Sequence, residues 1–319
     1  AHLAWLAENA TRGMPDWLDP SAPSMPRAMQ RAGYRTALLG KWHLGGGSGH
    51  VFGGKAINSP DAPPVAAYGF DEVRTTFGNG PTWKGGQPVE KPHDIYPLED
   101  IPWITWSSQL VVDAAIAFID GHTRDHAGRP FMMNLWLHDP HVPLKPTDDM
   151  RKPYEDVADP GMQTYYAVIS HMDKQIGRFL EHLDQAGLRD TTLVIFTSDN
   201  GAPSRQGSAD SGRRVDMTLD SAGSNGPLRG WKWHLREGGI RVPFIARWPG
   251  RIPARRTDTT SVLNICDWTP TFIRLAGASM PAGYQPDGVD MTDALFGKPF
   301  TRSQPMFWHN PTANRRGPV

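Results

Sequence analysis

The sequence predicts an α/β fold, in which a mainly parallel β-sheet is sandwiched by helices. Short apolar runs with strand character alternate with long amphipathic helical patterns along the 319 residues. Parallel strands need long crossover connections, and an amphipathic helix between two strands supplies one. A chain of this length can also bury a large apolar core. The alternation therefore predicts one main sheet with helices on both of its faces.

The first predicted helix spans residues 24–33 and leads into a strand. Ser24 is a suitable N-cap, Pro26 fits the first turn, and Gly33 is a typical stop signal. The apolar run at residues 34–39 follows directly. We therefore expect a short helix followed by a buried strand.

Two longer helices and two further strands are predicted in the rest of the chain. Apolar residues recur on one helical face over residues 106–119, and the run 131–137 after them predicts a strand. The same spacing predicts a helix over residues 165–183, which Gly187 ends, and the run 191–197 is the clearest strand. Ligands of parallel sheets bind beyond the carboxyl ends of strands, so polar residues directly after each strand are site candidates.

The overall charge limits the classes of partner. Lys and Arg together number 33, as do Asp and Glu, and the sequence pI is about 7.4. No run approaches the roughly 18 apolar residues of a membrane span. We therefore expect no nucleic-acid partner and no membrane insertion, and an anionic ligand must be bound by a few local charges. Cys266 is the only cysteine, so no intramolecular disulfide can form, and its apolar surroundings predict a buried structural thiol.

The loops after the first two strands carry basic side chains. Lys41 and His43 are two residues apart in a glycine-bounded turn, where both can face one anion; a solvated lysine beside a packed histidine is an equal alternative. Two prolines stiffen the backbone around His138 and His141, which suits a positioned acid or ligand. A zinc pair is disfavoured by the non-helical spacing, and a structural role is favoured for His138.

The third loop and a later basic segment complete the candidates. Asp199 and Asn200 offer hard oxygen ligands for calcium or magnesium, with an Asx turn as the alternative. Lys232 lies between Trp231 and Trp233, whose rings can restrict the lysine and strengthen its field. The alternative for this segment is a surface charge cluster.

Four segments occur in a fixed order: GYRTALLGKWHLG at 33–45, HDPHVPL at 138–144, TSDNGA at 197–202 and PLRGWKWHLREGGIRVPFIARWPG at 227–250. Each is weak alone, but the ordered set resembles the sulfatase family, formylglycine-dependent enzymes of the alkaline phosphatase superfamily. The resemblance runs through nearly the whole chain. It includes the Asp-Trp-Thr-Pro-Thr stretch from Asp267, which is similar to a helix start in the family.

The resemblance implies an alkaline-phosphatase-like fold, with residues 1–300 as the catalytic domain and residues 301–319 as the beginning of a small C-terminal subdomain. Family members use a formylglycine made from Cys or Ser in a C/S-x-P-x-R motif, and this sequence contains no such motif. The family's early paired-Asp metal motif is also missing. We therefore expect an N-terminal truncation and negligible sulfatase activity of these 319 residues by themselves.

The resemblance also assigns catalytic roles. Lys41 would hold the formylglycine hydrate, and His43 would take its proton when sulfate is expelled. His141 and Lys232 would bind the sulfate and assist the leaving oxygen. Such cations stabilise the charge that sulfuryl transfer spreads over the peripheral and leaving oxygens.

Asp199 and Asn200 would complete a calcium site, with magnesium as the alternative metal. The implied substrate is a sulfated carbohydrate or an aryl sulfate ester, and the family location is periplasmic or extracellular. Two alternatives stay open: a phosphonate or phosphodiester hydrolase of the same superfamily, and a non-catalytic protein that binds sulfated sugars. The sequence does not indicate an oligomeric state.

Overall fold

The computed structural model describes residues 17–42, 44, 51–52, 55–56, 63–76, 83–84, 87–88, 105–142, 144–203, 223–232 and 234–308. Its helices are α1 (Met25–Arg31), α2 (Ser107–Asp125), α3 (Asp148–Arg151), α4 (Pro160–Gln185), α5 (Glu237–Ile240), α6 (Trp268–Leu275) and α7 (Thr292–Leu295), with 3-10 turns at Val65–Tyr68, Lys152–Tyr154 and Ile265–Asp267. Its strands are β1 (Arg35–Lys41), β2 (Val51–Phe52), β3 (Lys55–Ala56), β4 (Glu72–Thr76), β5 (Trp83–Lys84), β6 (Gln87–Pro88), β7 (Phe131–Trp136), β8 (Val194–Thr197) and β9 (Phe244–Arg247).

The main sheet has three parallel strands in the order β4-β1-β7. In its register, Leu38 of β1 lies opposite Val73 of β4 on one side and Asn134 of β7 on the other. Helix α2 lies on the connection from β4 to β7, and α4 lies on the connection from β7 to β8. The predicted parallel sheet with helical crossovers is confirmed.

The side chains of β1 alternate between two apolar cores. Ala37 and Leu39 point to one face of the sheet, where they pack with residues of α2 and α4: Val111, Val112, Ala115, Phe118, Ile119, Phe179 and Leu183. Leu38 points to the other face and packs with Met29, Trp42, Tyr68, Phe70 and Met132. Helices α1 and α6 contact each other on this second side. Both faces are therefore covered, as the sequence predicts.

The helices differ from their predicted limits mainly at their ends. Helix α4 begins at Pro160 rather than at Tyr165, because the Asp159 carboxylate accepts hydrogen bonds from the backbone N–H groups of Gly161 (2.8 Å) and Met162 (3.2 Å). Within the described part of the chain, none of the helices combines the length and apolar character needed to cross a membrane.

Strand β8 pairs with β9 in an antiparallel ribbon, a pairing that the sequence did not indicate. Phe196 lies directly opposite Ile245, and these side chains are 38% and 62% exposed. Val194, at the start of β8, packs against the core that contains Leu183. The ribbon is thus joined to the core at one end and exposed at the end nearest the candidate site.

The prediction of a buried thiol is wrong, because Cys266 is exposed. In the turn Ile265–Asp267 the inward-facing residue is Asp267, which is fully buried and binds Arg302 at 2.6 Å. A three-residue turn that buries one of its sides exposes the other, so burial of the Asp267 carboxylate turns the Cys266 thiol toward solvent. The domain boundary at residue 300 stays a prediction.

Candidate active site

The candidate residues follow the carboxyl ends of three strands. Lys41 is the last residue of β1, His141 follows β7, and Asp199 follows β8. Gly40 brings β1 close to β7, since it has φ of 102° and an added Cβ would lie 1.9 Å from the Trp136 carbonyl oxygen. The backbone therefore carries the Lys41 side chain to the edge of the sheet where the loop after β7 begins.

Electrostatic interactions show which of these side chains lie within range of one another. Burial lowers the pKa of Lys41, Lys232 lowers it further, and Asp199 acts in the opposite direction. Burial also lowers the pKa of Lys232, again opposed by Asp199. His141 interacts with all three of these groups. We call Lys41, His141 and Lys232, together with the neighbouring Asp199, the cationic site.

Two of the six predicted site residues need separate description. His43 lies outside the described residues, so its predicted role stays a prediction. Asn200 follows Asp199 directly, and its side-chain amide nitrogen donates to the Gly201 carbonyl at 3.1 Å. That bond uses the amide nitrogen, so the amide oxygen of Asn200 keeps its capacity as an acceptor.

His141 is held as a neutral imidazole. Its Nδ1 lies 2.7 Å from the Val142 carbonyl oxygen, which can only accept, so Nδ1 carries the proton and the lone pair is on Nε2. Burial and the Lys232 charge lower the pKa of His141 to about 4. At neutral pH the ring is therefore uncharged, and an anion placed beside it would favour its protonation.

His138 lies behind this ring and is 5% exposed. The two imidazole centroids are 5.9 Å apart. Burial, with smaller effects of His141 and Lys41, lowers the pKa of His138 to about 3. These properties fit the structural role favoured from the sequence.

Asn225 joins the loop after β8 to the segment that carries Lys232. Its side chain accepts from the Ala202 N–H (2.8 Å) and donates to the carbonyls of Ala202 (3.0 Å) and Gly230 (3.2 Å). The Lys232 N–H also donates to the Ala202 carbonyl at 3.0 Å. These bonds fix Lys232 relative to Asp199. Sequence reasoning missed Asn225, because a Ser-Asn-Gly stretch indicates only a turn.

Close backbone packing supports the same junction. An added Cβ on Gly201 would lie 1.9 Å from the Gly238 carbonyl oxygen, so only glycine permits this contact. The Gly201 N–H donates to the Gly239 carbonyl at 3.0 Å. The glycines of the TSDNGA and REGG segments therefore let two loops approach and bring Lys232 to the carboxyl end of β8.

Metal binding by Asp199 and Asn200 fits their chemistry but not a full coordination shell. A carboxylate and an amide oxygen are ligands that calcium and magnesium favour, and calcium takes six to eight oxygens in all. No group of three or more His, Cys, Asp or Glu side chains with metal-site geometry occurs among the residues that the structure describes. The metal role of Asp199 and Asn200 therefore stays a prediction.

Asp139 is a further polar residue of the site loop that sequence reasoning missed. Its Oδ2 accepts hydrogen bonds from the hydroxyls of Ser107 (3.2 Å) and Ser108 (2.5 Å), the first residues of α2. The contact spans 31 residues, so local sequence carries no sign of it. It attaches the turn between His138 and His141 to a long helix.

Comparisons with known proteins point to one family. The family model described as Sulfatase matches residues 9–278. Arylsulfatase G of Rattus norvegicus is 29% identical over 313 residues, covering 90% of this chain and 55% of that protein. N-acetylgalactosamine-6-sulfatase of Canis lupus familiaris is 28% identical over 321 residues, covering 97% of this chain and 54% of that protein.

Solved structures show the same likeness. The crystal structure of Ps i-CgsB in complex with k-i-k-neocarrahexaose superimposes with a TM-score of 0.67 at 25% sequence identity, covering 89% of this chain and 60% of that one. The chain spans about half the length of the curated relatives it matches. Because the family model covers most of the sequence, the chain belongs to the sulfatase family.

Proposed function

We propose that this chain forms the sulfate-binding part of a sulfuric ester hydrolase. The observation that carries the proposal is the cationic site, in which two lysines and a histidine, from the end of β1 and from two loops, interact electrostatically with one another or with one carboxylate. The chain has a formal net charge of +0, so this concentration of positive charge is local. A tetrahedral dianion suits such a site.

The residues of the site would act by stabilising charge on oxygen. Lys232 would donate hydrogen bonds to the peripheral sulfate oxygens. Lys41, which the family resemblance assigns to the formylglycine hydrate, would add its positive charge at the same place, and burial makes these interactions stronger than in water. His141 must gain a proton before its Nε2 can donate, and the bound sulfate favours that protonation. The imidazolium can then donate to the leaving oxygen as charge develops on it, which stabilises the transition state preferentially.

Asp199 and Asn200 would hold part of the shell of a calcium or magnesium ion, whose chemistry is to neutralise negative charge on the sulfate oxygens. The formylglycine nucleophile of the family arises from a C/S-x-P-x-R motif that this sequence does not contain. We propose that the 319 residues by themselves therefore bind sulfate but have negligible turnover. His43 is proposed as the proton acceptor when sulfate is expelled.

A sulfated carbohydrate or an aryl sulfate is the proposed substrate. The names of the relatives support both, since an arylsulfatase and an N-acetylgalactosamine-6-sulfatase match at similar identity. The structural relative bound to a neocarrahexaose supports the carbohydrate. A phosphodiester hydrolase is the alternative that ligand binding can distinguish.

Binding of inorganic sulfate to the 319-residue chain tests the proposal. Calorimetry should show binding by the wild type, and Lys232→Ala and Lys41→Ala should each weaken it about 10–100-fold, since a hydrogen bond to a charged group contributes roughly 1.5–3 kcal/mol. Lys298→Ala is the matched control, because Lys298 is exposed and pairs only with Asp293 in the described residues, at 3.4 Å. It should leave sulfate affinity unchanged.

Four outcomes would count against the proposal. If sulfate binds no better than chloride, the chain has no specific sulfate site. If Lys232→Ala and Lys298→Ala lose equal sulfate affinity, sulfate does not bind at the cationic site. Tighter binding of phosphate diesters than of sulfate esters would favour the phosphodiester hydrolase. Substantial hydrolysis of an aryl sulfate by the chain alone would overturn the claim that its nucleophile lies elsewhere.

A further inference from the structure

Helix α2 has its N-terminus at the site edge of the sheet and is capped in an unusual way. Its N-cap residue, Trp106, provides no side-chain hydrogen bond. The oxygen that usually comes from a local Ser, Thr, Asp or Asn comes instead from Asp139, in the loop after β7. A helix N-terminus has unsatisfied N–H groups and favours negative charge, so a carboxylate is well placed there.

The contact is buried on the helix side. Ser107 is 3% exposed and Ser108 is fully buried, and both hydroxyls donate to the same oxygen of Asp139. The Ser108 backbone N–H also donates to this carboxylate. Burial nevertheless raises the pKa of Asp139 to about 6. At neutral pH the Asp139 side chain is ionised, and burial of this charge lowers the stability of the folded protein. An uncharged capping side chain would not have this cost.

Asp139 also belongs to the turn that presents His141. The His141 N–H donates to the His138 carbonyl at 3.0 Å, which closes the turn around Asp139. Leu144, just beyond, is 4% exposed and anchors the other side of the loop. The turn is therefore attached to α2 by its central residue and to the core by the residues that flank it.

We propose that Asp139 is a positioning residue, whose carboxylate fastens the turn 138–141 to the N-terminus of α2 and thereby holds the His141 imidazole against Lys41 and Lys232. The role rests on the proposed function, since His141 matters only if the cationic site binds an anion. Without the attachment, the turn can shift relative to β1 and β8, and the bond from His141 Nδ1 to the Val142 carbonyl is no longer enforced.

The test compares Asp139→Ala with Asp139→Asn in the 319-residue chain. An Asn side-chain oxygen can still accept from both serines, whereas Ala removes the attachment. Two readouts are used: the ¹⁵N chemical shifts of the His141 ring, which report its tautomer, and the affinity for inorganic sulfate. Asp139→Ala should mix the tautomers and weaken sulfate binding about tenfold, while Asp139→Asn should keep the Nδ1–H form and bind within about threefold of the wild type.

Two further variants separate positioning from stability. Ser107→Ala/Ser108→Ala removes the hydroxyl donors and keeps the Asp139 carboxylate. It should show the mixed tautomers and the weaker sulfate binding expected of Asp139→Ala, and it replaces that variant in the test if Asp139→Ala does not fold. Thr271→Val is the control for stability alone, because it removes buried bonds to Asp267 (2.6 Å) and Met291 (2.9 Å) away from the site. It should lower stability but leave the His141 spectrum and sulfate affinity unchanged.

The outcomes distinguish this proposal from the proposed function. If Asp139→Ala and the double serine variant lose stability yet keep the wild-type tautomer and sulfate affinity, Asp139 is only a helix cap and the proposal is overturned. If the wild type binds no sulfate, the proposed function fails, while the His141 spectrum still decides whether Asp139 positions the ring.

Discussion

At the scale of single residues, the cationic site places like charges close together. Burial lowers the pKa of both Lys41 and Lys232, and the Lys232 charge lowers the pKa of Lys41 further. His141 avoids a third positive charge by remaining neutral, with its pKa lowered to about 4. The free site is thus under electrostatic strain that a dianion relieves, so binding of sulfate and uptake of a proton are expected to be coupled.

This coupling predicts that sulfate binds more tightly as pH falls. Sulfate stays a dianion across the accessible range and raises the pKa of His141, so the bound form takes up a proton that the free form lacks. Affinity should therefore rise as pH is lowered through the bound-state pKa toward 4, by up to about tenfold for each pH unit. Calorimetry in buffers of different ionisation enthalpy measures the proton uptake. His141→Gln should abolish it, and a wild-type affinity that is flat between pH 5 and 8 would contradict the coupling.

The pH range of that experiment is bounded by folding. His138 and His141 have pKa values in the folded protein of about 3 and 4, below the 6.5 of an ordinary histidine. The unfolded chain therefore binds more protons below pH 6.5, and the stability provided by the neutral rings is lost as pH falls from 6.5 toward those values. At pH 5 about half of this stability is already lost, so folding has to be checked at the acidic end of the binding experiment.

Sequence reasoning found residues that come together in the cationic site but not the residues that hold them there. Lys41, His141 and Asp199 were predictable because each follows an apolar strand, and strand ends are where parallel sheets bind ligands. Asn225 and Asp139 were not, since Asn225 binds Ala202, 23 residues away along the chain, and Asp139 binds Ser107, 32 residues away. Such contacts leave no periodicity or local motif.

At the scale of elements, β1 and the β8–β9 ribbon differ in how deeply their side chains are buried. The run Ala37 to Leu39 is fully buried between two cores, and this is why the strand was recognisable as an apolar run. The order β4-β1-β7 was not predictable, because parallel pairing depends on contacts between distant segments. Strand β9 was missed because its antiparallel pairing with β8 also joins segments that are far apart in the sequence.

The contrast between these strands predicts unequal effects of similar substitutions. Leu39→Ala should lower the free energy of unfolding by about 2–5 kcal/mol, because it leaves a cavity in a core closed on all sides. Ile245→Ala should change it by less than about 1 kcal/mol, because that side chain is 62% exposed. Urea denaturation of the two variants checks the difference. Equal losses would mean that the ribbon is buried in solution.

At the scale of the whole molecule, a buried ion pair ties the C-terminal part of the described chain to the rest. Arg302 donates from Nη2 to both oxygens of Asp267 at 2.6 Å, and Asp267 also accepts from the backbone N–H groups of Asn264 (2.6 Å) and Val289 (2.8 Å). Three segments that are distant in sequence therefore meet at one carboxylate. This meeting point lies on the predicted boundary at residue 300.

Loss of one partner of this pair should be costly. Arg302→Ala removes the cation from the fully buried Asp267 carboxylate. The loss of one partner of a buried ion pair typically lowers the free energy of unfolding by about 3–5 kcal/mol. Arg241→Ala is the matched control: its partner Glu237 is 3.4 Å away and both side chains are well exposed, so the loss should be at most about 1 kcal/mol. Urea denaturation gives the stabilities, and limited proteolysis should cut near residue 302 faster in Arg302→Ala only.

In a double-mutant cycle, Asp267→Asn should lessen the effect of Arg302→Ala. Additive effects would show that the two side chains do not interact, and that residues 301–308 are held by other contacts.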